Sequence, residues 1–203
     1  MSLIHWWSLI GNLNDQIGIS SLNGTPSYGD GKIGQCAVLG DDKILTSNIS
    51  FAAEWNPIQT SVSIAGWAKF NKADIETVIN KISPTEKSKA PTGCLFGSHS
   101  YGGLALVWLG NNMYEGGKKI ENFSTLKIFA AARGVTAVNG KDSATANTSA
   151  FTVEFDKWYH FALVANKNTY ELSLYVNGTK YHTVNYSNIK EIPNNLTFGV
   201  NQK

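Results

Sequence analysis

The sequence predicts an all-β protein, one antiparallel two-sheet sandwich with a single short inserted helix. Three observations carry this reading. Apolar and polar residues alternate with period two through most of the chain, as half-buried strands require. Aromatic residues make up 11% and there are 19 Gly, a pairing that favours strands joined by tight turns. A chain of 203 residues, 42% hydrophobic and 16% charged, suits one well-buried core, so 1–203 is read as a single domain.

The first clear strand is 61–70, where Val62, Ile64, Ala68 and Phe70 share one face. Ser61, Ser63, Trp67 and Lys69 share the other. Alternation then gives way to Ile75, Val78, Ile79 and Ile82, spaced i, i+3, i+4, i+7. With Asn71 as N-cap this predicts an amphipathic helix over 72–82, ended by Pro84. Residues 104–109 and 126–132 read as strands, and the Gly/Asn/Ser/Thr-rich stretches 110–124 and 134–150 as loops between them. Residues 158–165 and 170–176 form a hairpin across a polar loop, with Leu172, Leu174 and Val176 inward and Glu171, Ser173 and Tyr175 outward. Asn177-Gly178 suits φ > 0 at both central turn positions, so a second hairpin leads into 180–184.

Bulk properties narrow the function. The net charge of +2 and the lack of any Lys/Arg-rich tract leave no electrostatic footprint for nucleic acid; Lys118 and Lys119 read as a solvated loop. Cys36 and Cys94 are too far apart for a CxxC motif and are expected to be free, small, buried residues. The run from Leu3 to Trp7 lacks the basic flank and length of a signal peptide, and no apolar stretch is long enough to enter and span a bilayer. Two compartments stay open: assembly in the cytoplasm or a virion, or an extracellular site after removal of a leader.

Several motifs resemble the laminin G-like, concanavalin A-like lectin/glucanase superfamily. His5-Trp6-Trp7 through Gly11-Asn12-Leu13-Asn14-Asp15 is similar to its opening strand and turn. Gly31-Lys32-Ile33-Gly34 resembles its next turn, and Asp41-Asp42 its acidic turn. Trp158-Tyr159-His160 followed by Leu174-Tyr175-Val176-Asn177-Gly178 carries the likeness furthest, with 196–200 as the strand after it. More distantly, the chain is similar to LamG-like phage structural and tail-associated proteins. The resemblance implies a jelly-roll sandwich and says nothing specific about ligand. It also implies a last strand beside 4–9, which would follow 196–200. Three outcomes stay open: a parent chain that continues, a strand from another chain, or an N-terminal segment shifted to cover the edge.

Catalytic chemistry finds little footing, and the chain is read as a non-enzyme. Glucanases of the superfamily carry Glu-x-Asp-x-x-Glu along one strand; here Glu154 and Asp156 occur, but Tyr159 stands in the third position. Residues 98–102 only approximate a nucleophile elbow. His5, His99, His160 and His182 have no metal-binding spacing, and His160 reads as a strand residue with a locally hydrogen-bonded ring. Many relatives hold one Ca²⁺, and Asn14, Asp15, Asp41 and Asp42 are the candidate donors. The competing reading, that Asp and Asn simply form good turns, is preferred because no ligand-dense loop is present.

Binding fits better. A sugar site needs an aromatic platform and planar amides or Arg to fork across hydroxyls. Tyr101, Trp108, Asn111, Asn112, Tyr114 and Arg133 supply these, although Trp108 suits the core equally well. The leading expectation is a lectin-like or adhesion module for a glycan or surface polymer. The alternative is a structural module of a phage particle contacting neighbouring chains.

Overall fold

The computed structural model describes residues 3–39, 43–50, 56–81, 92–97, 103–109, 114–115, 118–119, 124–133, 145–186 and 195–202. The early strands are β1 (Ser27–Asp30), β2 (Gln35–Val38), β3 (Leu45–Ser50) and β4 (Val62–Lys69). Helix α1 (Lys72–Lys81) separates them from β5 (Thr92–Gly97) and β6 (Gly103–Leu109). Next come β7 (Tyr114–Glu115), β8 (Lys118–Lys119), β9 (Thr125–Arg133), β10 (Thr145–Asn147) and β11 (Phe151–Glu154). The last four are β12 (Trp158–Asn166), β13 (Glu171–Val176), β14 (Thr179–Asn185) and β15 (Asn195–Gln202).

Two antiparallel sheets form the expected sandwich. One follows the order β10-β9-β6-β5-β15-β3, with β11 also paired to β9; the other follows β14-β13-β12-β4. A single apolar cluster joins them: Leu106 and Ile128 from the first sheet pack with Phe161, Leu172 and Leu174 from the second, all 0% exposed. Burying a side chain of this size contributes about 1.5–3 kcal/mol, so this interior is the main source of stability. The larger sheet is also buried on its other face, where Cys94, Ala105, Val107 and Ala131 meet Phe129. That double burial explains why 104–109 is a continuous apolar run with no alternation.

The best-patterned segments fold as read. In β4, Val62 and Ala68 are buried while Ser63, Trp67 and Lys69 are exposed. Asn71 Oδ1 accepts the N–H groups of Ala73 and Asp74 at 2.9 and 3.3 Å, capping α1, and Ile75 turns into the core. At the β13–β14 turn, Asn177 and Gly178 take φ of 50° and 81°. Ser173 departs from expectation: its hydroxyl lies 2.8 Å from that of Thr183 and it is buried. The stretches 110–124 and 134–150, read as loops, contain the β7–β8 hairpin and β10. Cys36, expected to be buried, is a half-buried thiol on the β1–β2 hairpin, whereas Cys94 is fully buried.

The N-terminus is the main correction. Residues 4–9 form no strand; among the described residues their ladder contact is a bridge between Trp7 and Asp15. The Asp15 carboxylate takes the Trp6 N–H, and Gln16 N–H donates to the Trp6 carbonyl, so local partners consume the groups a sheet would use. Trp7 anchors this loop instead, with Nε1 donating to the Ser20 carbonyl at 2.7 Å and its ring edge-on to Phe198. β15 has partners on both sides, β3 and β5.

Candidate functional site: an aromatic face with three lysines

The outer face of the four-stranded sheet gathers polar and aromatic side chains by register. Pairing of β4 with β12 sets Lys69 opposite Trp158, Trp67 opposite His160, and Ala65 opposite Ala162. Ala162 in turn faces Tyr175 on β13, and Tyr175 faces Lys180 on β14. Residues directly opposite share a face, so two Trp, one His and one Tyr line one surface, with the small Ala65 and Ala162 between them. Trp67 is 47% exposed. Its ring meets His160 edge-on at 5.3 Å. The His160 end is held by the turn, because its N–H donates to Asn177 Oδ1 at 3.0 Å and its carbonyl accepts the Asn177 N–H at 2.8 Å.

Three lysines lie over these rings. Lys69 Nζ is 5.3 Å from the Trp158 centroid and Lys180 Nζ 5.8 Å from that of Tyr175. Lys32, from the turn between β1 and β2, places Nζ 5.3 Å from the Trp67 centroid. Each exposed contact is worth about 0.5–1 kcal/mol, enough to bias the lysine and weak enough to release it. The face continues to the rim at the β13–β14 turn. There a bulge leaves Tyr181 without a ladder partner and directs it edge-on to Phe151 at 5.2 Å. Phe151, Val176, Asn177, Thr179, Lys180 and Tyr181 line a shallow cavity of about 240 Å³.

Of the six residues read from sequence as a site, three lie in described strands. Tyr101, Asn111 and Asn112 lie outside the described residues. Trp108, Tyr114 and Arg133 belong to β6, β7 and β9. Trp108 is opposite Ile128, while Arg133 is opposite Gly103. Along the ladder these two backbone positions are five residues apart, about 17 Å. Trp67, Lys69 and Tyr175 were legible as outward-facing. What joins them to Trp158, His160 and Lys180 is register, and Lys32 arrives from a separate hairpin.

Asp15, a calcium candidate, has both carboxylate oxygens engaged within its own loop. Oδ1 accepts from Trp6, Ile17 and Gly18 at 3.1, 3.2 and 2.9 Å, and Oδ2 accepts from Ser20 at 3.2 Å and lies 2.6 Å from His5 Nδ1. Burial pushes this carboxyl up, but the His5 contact and the N–H groups of Trp6, Gly18 and Ile17 outweigh it and hold it well below the usual range. Among the described residues no group of three His, Cys, Asp or Glu is placed to hold a metal; Asp41 and Asp42 lie outside them. The acids at 154 and 156 have turn partners. Glu154 pairs with Lys157 at 2.8 Å, raising the lysine, and Asp156 accepts from Asn71 Nδ2 at 3.2 Å. Tyr159, in the third position, takes the Glu154 N–H on its hydroxyl at 3.3 Å.

No family model and no curated protein matches the chain. Solved structures do. The chain is similar to domain 4 of AbnA, a GH43 extracellular arabinanase from Geobacillus stearothermophilus, in complex with arabinotriose. That likeness has a TM-score of 0.52 and 16% identity and covers 97% of this chain and 82% of that one. It is also similar to the carbohydrate-binding module CBM66 from Bacillus subtilis, with a TM-score of 0.43, 10% identity and 89% of each chain covered. At these identities the likeness concerns fold alone: the protein is an antiparallel β-sandwich. No helix among the described residues is long and apolar enough to cross a membrane.

Proposed function

We propose that the protein is a non-catalytic carbohydrate-binding module that holds a saccharide on the outer face of its four-stranded sheet. One observation carries this: Trp67, 47% exposed, lies in register with His160 and on the same sheet face as Trp158 and Tyr175, fixed by backbone hydrogen bonds. Flat rings suit the apolar face of a sugar, and rigid strands hold them in place without ordering a loop. That a neighbour of the same fold was solved with arabinotriose supports the fold as a saccharide carrier.

The test is a titration of soluble polysaccharides against wild type, Trp67→Ala and Tyr114→Ala. We expect Trp67→Ala to weaken binding about tenfold or more, a cost near 1.4 kcal/mol, with Tyr114→Ala close to wild type. Loss with Tyr114→Ala alone would move the site to the residues around Tyr101, Trp108, Asn111, Asn112, Tyr114 and Arg133. Absence of binding across the panel would overturn the proposal. A second reading, a laminin G-like module contacting neighbouring chains of a phage particle, draws support from the N-terminal loop, where Leu3, Ile4, Trp6, Ile17 and Ile19 are more than half exposed. Concentration-dependent self-association, abolished by Trp6→Glu, would favour it.

A further inference from the structure

The lysines on the aromatic face bear on which saccharides it takes. Lys32, Lys69 and Lys180 come from three separate elements, yet each Nζ stops over an aromatic ring of one surface. None is ion-paired with a carboxylate among the described residues, whereas Lys157, just before β12, is paired with Glu154. The described carboxylate on the same face of the strands is Glu171, opposite Asn166 and Asn185 at the far end of the ladder, and its Oε2 accepts the Thr169 hydroxyl at 2.9 Å. Tyr175 and Glu171 are four residues apart on one strand, about 14 Å, beyond a Debye length at physiological salt. Asp30, two residues before Lys32, and Asp156, two before Trp158 and bonded to Asn71 Nδ2, flank the aromatic end, so its three lysines leave it with a net positive charge.

A lysine resting on a ring keeps its charge close to the stacking surface and leaves it at small cost. A neutral sugar gains only the ring from such an arrangement. A sugar with an anionic substituent gains the ring and the ammonium together. Along β4, Lys69, Trp67 and Ala65 occupy alternate positions, so the three rows of the face extend about 14 Å, longer than one sugar ring.

We propose that the face selects anionic polysaccharides, pyranose polymers carrying carboxylate or sulfate groups, over neutral ones. The selection rests on the carbohydrate-binding reading above and adds the ligand's charge class to it. Stacking on Trp67, Trp158 and Tyr175 holds the sugar, and Lys32, Lys69 and Lys180 meet its anions.

The test uses the full chain in affinity titrations with polygalacturonate, dextran sulfate, neutral xylan and neutral dextran. Each is measured at about 50 mM and about 500 mM NaCl, which screens exposed charge pairs. Wild type should bind at least one acidic polymer roughly tenfold tighter than either neutral one, and lose most of that margin at high salt. The two acidic arms distinguish carboxylate from sulfate. The triple variant Lys32→Gln, Lys69→Gln, Lys180→Gln, with its thermal unfolding checked against wild type, should lose the margin. Lys32→Gln alone, outside the sheet, should narrow it without touching strand packing. Equal or tighter binding of a neutral polymer, or an acidic preference unchanged in the triple variant, would overturn the proposal. Neutral binding as tight as acidic that still depends on Trp67 would overturn the charge preference alone. No binding to any polymer would overturn both readings.

Discussion

Asp15 shows how a single residue can set the course of a segment. Its two oxygens gather four backbone N–H groups and the His5 ring, and hydrogen bonds to a charged group contribute about 1.5–3 kcal/mol where they are well made. Asp15→Ala should therefore cost about 2–3 kcal/mol, read by denaturant unfolding. Its folded pKa is depressed below 3.8, so its contribution is present above the unfolded value and is lost as pH falls through the folded one. Tyr186 limits the opposite end. Burial, then the neighbouring Tyr170, pushes its phenol up to about 12, and its hydroxyl lies 3.0 Å from the Pro57 carbonyl and 3.2 Å from that of Asn166. That contribution is complete below pH 10 and is lost as pH rises through about 12. A stability profile against pH should thus lose part of its acid limb in Asp15→Asn and part of its alkaline limb in Tyr186→Phe. Unchanged limbs would refute these assignments. The sequence placed Asp15 on a turn but could not show which N–H groups it would collect.

At the scale of elements, glycine separates what local sequence determines from what packing determines. Gly178 sits at φ +81° with nothing within 4 Å of an added Cβ. Gly178→Ala should cost only the backbone preference, about 1 kcal/mol. Gly97 has φ +142°, and a Cβ there would lie against the Leu104 carbonyl and Ala105 of the adjacent strand. Gly97→Ala should cost more than Gly178→Ala by about 1–3 kcal/mol; equal midpoints in urea would contradict the difference. Asn177-Gly178 was legible because the turn is local. Gly97 was not, because its constraint comes from β6. The same division covers the strands: the alternation of 61–70 and 170–176 identified β4 and β13, and Asn71 identified the start of α1. The apolar run at 4–9 also looked like a strand, but nearby partners capture its backbone. Short β7, β8 and β10 carry too few residues for a periodic signal.

Over the whole molecule, two sheets close on one apolar interior and leave the four-stranded sheet with an aromatic outer face. The fold class could be read from periodicity and turn chemistry, since both repeat along the chain. The candidate site could not, because it depends on which residue of β4 faces which residue of β12, and on a lysine from a distant hairpin. Sequence reasoning instead favoured Tyr101, Trp108, Asn111, Asn112, Tyr114 and Arg133, a cluster close in number. The direct measurement is an NMR titration that follows the indole N–H signals, assigned by single Trp→Phe variants, as a polysaccharide is added. The signals of Trp67 and Trp158 should shift together and saturate with one affinity, while that of Trp7, half-buried against Phe198 and bonded to the Ser20 carbonyl, stays in place. Saturable binding that leaves Trp67 and Trp158 unmoved would contradict the account.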